Sequence, residues 1–204
     1  MASVIADHTP QELAAELGAL LRVDWRAVWP GIPADDAERG DWCARFGWQP
    51  LWPESGLWVR TRRGGRLHLA ASGRPVTSAS YAVWKVRAEP SVEGTGLMEV
   101  ALDRYAACLD RMIPALGAPG WEGAWDRPDF PEPPAPGRWG DAEARLEQQA
   151  PYRLAQWSFA NPLAPVIVLD LHCRAGLGAG GGTIALTFHG PADPDPVAGP
   201  GWLL

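Results

Sequence analysis

An α+β fold is predicted by three observations: one domain, with a mainly antiparallel curved sheet, helices at the N-terminus and one central amphipathic helix packed on the sheet. Apolar residues recur at helical spacing in two segments, 10–23 and 97–116. Within 57–88 and 152–189 they alternate instead with polar residues, the pattern of half-buried strands. The 23 glycines and 21 prolines interrupt regular structure too often for a large helical bundle. With 204 residues, 47% of them apolar, the chain can bury one sizeable core, and a single domain over 1–204 is the simplest division.

Thr9-Pro10-Gln11-Glu12 is a capping box with proline in the first turn. Leu13, Leu17, Leu20 and Leu21 follow at helical spacing, which predicts a helix from about Pro10 to Val23. A second is predicted over Ala34–Phe46: Asp35 and Asp36 suit its positive end, Trp42 and Phe46 sit one turn apart, and Gly47 can take a left-handed cap. From Leu57 the period becomes two. Leu57 and Val59 alternate with Trp58 and Arg60, Gly64-Gly65 offers a tight turn, and Leu67 and Leu69 alternate with Arg66 and His68, giving a β-hairpin. SASYAVWKVRA, from Ser78 to Ala88, supplies a third strand rich in aromatic and branched residues.

The next helix, Leu97 to about Leu116, carries Met98, Leu102, Tyr105, Leu109 and Met112 on one stripe suited to a sheet face. Ala118–Gly140, with RPDFPEPPAPG in its middle, reads as a long surface loop pinned by Trp121, Trp125 and Trp139. A short helix over Asp141–Gln149 precedes three closing strands, Tyr152–Phe159, Pro165–Cys173 and Thr183–His189. The proline-rich end, 190–204, is expected to form no element and to be mobile, with Trp202 and the last two leucines able to dock.

RAGLGAGGGT, between the last two strands, contains a formal G-x-G-x-x-G in Gly176, Gly178 and Gly181. A dinucleotide site needs a helix after those glycines, because phosphate sits at the helix's positive end. Here Thr183, Ala185, Thr187 and His189 alternate with Ile184, Leu186 and Phe188, which is a strand. The glycines are therefore read as a flexible hairpin connection, and no cofactor is implied.

A formal charge of −6 opposes nucleic-acid binding, which depends on neutralising phosphates with Lys and Arg, and suits a basic protein partner. Cys43, Cys108 and Cys173 are odd in number and widely spaced, so neither a disulfide framework nor a zinc knuckle is signalled. The N-terminal residues carry no basic and apolar leader, and no apolar stretch has membrane-spanning length, so a soluble cytoplasmic protein without membrane contact is expected. Serine-hydrolase, zinc-protease and P-loop signatures are missing.

Four groups of residues carry candidate chemistry. On the strand Pro165–Cys173, Val166, Val168, Asp170 and His172 share one face, and an antiparallel neighbour brings Thr187 and His189 towards it. Asp170, His172 and His189 are thus a candidate carboxylate–imidazole set, able to hold a metal or share a proton, or a solvated face without chemistry. No metal is implied. Arg60, Arg62, Arg63, Arg66 and Arg74 gather around one hairpin. Their plainer role is to charge an exposed sheet edge against aggregation; the alternative is a grip on an acidic surface or a phosphate.

The tryptophans Trp25, Trp29, Trp42, Trp48, Trp52 and Trp58 are expected to build core, except Trp48 and Trp52, which prolines flank and which are expected to be exposed. Finally, Trp121, Trp125, Asp126, Asp129, Phe130 and Glu132 combine acidic charge with aromatic anchors and are the candidate partner contacts.

WCARFGW at 42–48, the arginine-bearing hairpin, the isolated amphipathic helix, and the closing pair YRLAQWSF and VIVLDLH together resemble small single-domain proteins of actinobacteria encoded beside polymorphic toxins. The scarcity of lysine, with Lys85 alone among 18 basic residues, fits the same GC-rich source. The resemblance implies an acidic, cytosolic α+β immunity protein without enzymatic activity, which covers or plugs a toxin domain. It transfers no individual contact residue. The rival expectation is a small-ligand or metal-dependent enzyme or sensor built on Asp170, His172 and His189.

Overall fold

The computed structural model describes residues 3–71, 75–87, 94–131, 141–161, 163–174 and 181–190. Arg74, Glu132, Trp139, Gly176, Gly178 and the segment 191–204 lie outside the described residues. The elements in chain order are β1 Ser3–Asp7, α1 Pro10–Leu20, α2 Asp36–Arg45, β2 Gln49–Pro53, β3 Gly56–Arg60, β4 Arg66–Ala71, β5 Val76–Arg87, α3 Gly94–Leu116, β6 Trp121–Gly123, α4 Ala142–Gln148, β7 Arg153–Trp157, β8 Val166–Arg174 and β9 Gly181–His189.

All nine strands join one antiparallel, curved sheet in the order β2-β3-β4-β5-β9-β8-β7-β6, with β1 added beside β5. The expected α+β class is the observed one. β5 is long enough to be shared: its first half pairs with β4, its second half with β1, and its other side with β9 along the whole length.

The capping box forms as read. The Glu12 N–H donates to the Thr9 hydroxyl at 3.2 Å, and the Thr9 N–H donates to the Glu12 carboxylate at 2.7 Å. Two otherwise orphaned donors are satisfied, so Thr9→Ala is expected to cost about 1 kcal/mol in urea unfolding. α2 starts on the Asp35 carboxylate, which accepts from the Ala37 and Glu38 N–H groups at 2.9 and 3.0 Å, and Gly47 follows it at φ 72°.

Alternation decides which side of the sheet is dry. Ile167, Leu169 and Leu171 of β8 and Ile184, Leu186 and Phe188 of β9 are all fully buried, and α3 lies over these two strands and against α1. Met112, Tyr105, Cys108 and Ala101 of α3 seal that side. Trp25 closes the core between elements: its ring stacks on Trp29 at 4.9 Å and on Phe188 at 4.8 Å, and its indole N–H donates to the Leu20 carbonyl at 3.1 Å. Packing of this kind, apolar residues of two strands against one helix stripe, supplies the main driving force for the fold.

Several expectations are corrected. Ala118–Gly140 is not free of regular structure, because Trp121–Gly123 pairs with β7 as a short outer strand. Trp48 is buried, at 6% exposure, because it turns inward among Trp25, Trp42 and Phe46. Trp52 is 40% exposed, as expected. The arginine-bearing hairpin does not form a sheet edge, since β2 pairs along β3 outside it. The strand after the glycines begins at Gly181 and runs antiparallel to β8, so no helix follows them.

Candidate functional site

The side of the sheet that faces away from α3 carries the polar residues. Ser78 and Ser80 of β5, Thr187 and His189 of β9, and Val168, Asp170 and His172 of β8 line the floor of a groove of about 280 Å³. The α4 helix, started by the Asp141 carboxylate accepting from the Ala144 N–H at 2.9 Å, forms its wall with Arg145 and Gln148.

Register sets the spacing on the floor. Ser80, Thr187 and Val168 lie in one row across β5, β9 and β8, and the Thr187 hydroxyl donates to the Ser80 hydroxyl at 3.2 Å. Asp170 lies opposite Ala185 on one side and Leu154 on the other. These flanks keep water away, so burial pushes its carboxyl up to about 6, against an opposing pull from His172. The His172 imidazole Nε2 stands 3.4 Å from the Asp170 carboxylate; the histidine is half-exposed, while Asp170 is 16% exposed. One end of the groove therefore holds a largely buried carboxyl, raised by burial, with an imidazole beside it.

The expected set of three does not close. His189 pairs with Val166, four residues along β8 from Asp170, which places it about 13 Å away at ~3.3 Å per residue. His189 shares the groove but not the pair. Among the described residues no group of three or more His, Cys, Asp and Glu lies close enough to hold a metal ion. The cysteines are free thiols, and burial pushes each of them up to about 11, so they are protonated and weakly nucleophilic at neutral pH.

Among the described candidate partner contacts, the aromatic ones turn inward while Asp126 and Asp129 are exposed. Phe130, at 7% exposure, joins Leu154 and Val168 in a small second core, with Trp121 edge-on at 4.9 Å and the Arg145 guanidinium over its ring at 4.2 Å. Asp129 accepts from Arg127 at 3.0 and 3.2 Å, which holds its carboxyl below the ordinary range. Trp125 is half-buried, with its backbone N–H bonded to the Pro151 carbonyl at 3.1 Å, and Asp126 is exposed. The aromatic side chains of this loop thus anchor it to its own sheet.

Sequence reasoning missed two parts of this surface. Arg145 is buried while its neighbour Leu146 is 58% exposed, the reverse of what hydrophobicity along α4 suggests. The second part is an aromatic ladder on the same side of the sheet: Trp52 stacks on Trp58 at 5.8 Å, Trp58 on His68 at 4.6 Å, and Arg66 lies 5.7 Å over the Trp52 ring. The pairings Trp52↔Trp58, Trp58↔His68 and His68↔Ser80 run this ladder into the groove floor. The tight turn at Gly64-Gly65 already signals the cross-strand neighbours Trp58 and His68; the register of β2 is signalled by nothing local.

Compared with known proteins, the chain matches no family model, no curated protein and no solved structure. No helix among the described residues is long and apolar enough to cross a membrane.

Proposed function

We propose that the chain is a non-catalytic protein-binding module, an immunity-type protein of the cytoplasm that neutralises a toxin domain by covering it. The ladder Trp52–Trp58–His68 with Arg66, partly open to solvent and continuous with a polar groove, is the observation that carries this reading. Tryptophan and arginine dominate binding energy where they sit together in a patch with hydrogen-bonding groups around it. Trp125 and Asp126, on the loop at the opposite end of the strand order beyond the groove, supply separate contacts there.

Co-expression with toxins encoded beside the gene tests the proposal. Rescue of growth and a purified complex are expected, and the double change Trp52→Ala with Trp58→Ala should weaken binding at least 100-fold with little change in melting temperature. A chain that neither rescues growth nor binds any adjacent gene product fails the test.

A second reading is favoured by the Asp170–His172 pair at one end of the groove of about 280 Å³: an enzyme or sensor for a small molecule or a metal ion. Metal analysis of the purified protein and of its Asp170→Ala, His172→Ala and His189→Ala forms separates the two. Stoichiometric metal lost on substitution favours the second reading.

A further inference from the structure

A hollow of about 750 Å³ lies between the end of α1, α2 and the β3–β4 turn, far in character from the polar groove. Its volume falls in the range of small-molecule sites, roughly 300 to 1,000 Å³. Arg22, Arg45, Arg62 and Arg63 line it, together with the rings of Trp42 and Phe46. Among the described residues, none of these four guanidinium groups has a carboxylate within ion-pair distance, although Arg63 attracts the Glu16 carboxylate from farther off; the arginine ion pairs present use Arg26, Arg39, Arg104 and Arg127.

Two acids also line the hollow. Asp24 is engaged by Arg26 at 3.4 Å, and Glu16, at 2% exposure, closes the floor. Positive charge is thus in excess in a chain whose net charge is −6. The arrangement is also built. At Gly47 an added Cβ would stand 2.7 Å from Nη2 of Arg62, so the absent side chain leaves the space that this guanidinium fills.

We propose that the hollow is an anion site for a small organic molecule, one with phosphate or paired carboxylate groups attached to an aromatic or apolar body. Guanidinium groups bind such oxygens through paired N–H donors, and the mutual repulsion of four of them falls when an anion enters. The half-buried Phe46 ring takes the body, with the buried Trp42 behind it. The site lies on a different part of the molecule from the aromatic ladder and does not depend on the immunity reading.

Isothermal titration of the full chain with ADP, with inorganic pyrophosphate and with uncharged adenosine tests it. ADP is expected to bind saturably, pyrophosphate at least tenfold more weakly, and adenosine without measurable heat. Arg45→Ala, and Arg62→Ala together with Arg63→Ala, should each weaken ADP at least tenfold at an unchanged melting temperature, whereas Arg111→Ala on α3 should leave it unaltered. Absence of saturable binding of ADP, or binding that the Arg62/Arg63 double change leaves intact, overturns the proposal.

Discussion

Asp170→Asn is expected to stabilise the protein at pH 7 by about 3 kcal/mol. The side chain goes from an ordinary value of 3.8 to about 6 on folding. At about 1.4 kcal/mol per pH unit, that difference is the free energy lost by keeping the carboxylate ionised in its apolar flanks. The sign follows from proton binding. Below about pH 4 the carboxyl is protonated in both states and costs nothing; between 4 and 6 the unfolded chain gives up its proton first, so stability falls as pH rises and stays low above 6. Asparagine has no such titration. Urea unfolding of both proteins at pH 4, 5, 6 and 7 should give curves that coincide in slope except across this window, where only the native sequence loses stability. Parallel profiles would mean that Asp170 is solvated when folded. A carboxyl held in place at this cost, beside an imidazole at 3.4 Å, is the kind of group that functional surfaces retain.

The second large effect concerns the turn between β2 and β3. Gly56→Ala is expected to destabilise by about 3 kcal/mol, because a side chain at φ 127° is strained and its Cβ would stand 2.0 Å from the Leu69 carbonyl oxygen, a backbone atom that cannot swing away. Two other glycines calibrate the result. Gly64, at φ 88° with open space around it, should lose only about 1 kcal/mol on change to alanine, the strain without the clash. Gly40, inside α2 with nothing near its missing Cβ, should gain up to about 1 kcal/mol through helix propensity. Chemical unfolding of the three variants checks the order; equal losses would remove the backbone clash as the cause.

The same residues show where the sequence is legible. Strong local periodicity carried α1, α3, β5, β8 and β9 almost to their observed ends, and the division of β8 into Ile167, Leu169, Leu171 against Val168, Asp170, His172 gave the floor of the groove directly. β2 was hidden by Pro50 and Pro53, which weaken a strand signal, and β6 by its length of three residues. The expected gathering of Asp170, His172 and His189 failed on register, because alternation fixes the face of a residue and not its row, and a glycine-rich connection does not fix the row either. Trp48 was misplaced for a different reason. Flanking prolines speak for a turn, while the ring is free to fold back into the core, and only tertiary packing decides which way it goes. Arg145 is the plainest case, since its position under Phe130's ring depends on how α4 sits on the sheet.

The ends of the strand order limit how another protein can attach. An incoming chain can extend a sheet only where a border strand offers a run of amide donors. At one border, two of the five residues of β2 are prolines and have no amide hydrogen; at the other, β6 offers a stretch of three residues. Main-chain zippering onto either of these two borders is thereby blocked or brief; among the described residues β1, which pairs with β5 alone and carries the exposed Val4 and Ile5, is the remaining border strand. Away from β1, recognition falls to the outward surface of the sheet, where selectivity is written in side chains and can be changed one residue at a time without disturbing the ladder of strands beneath.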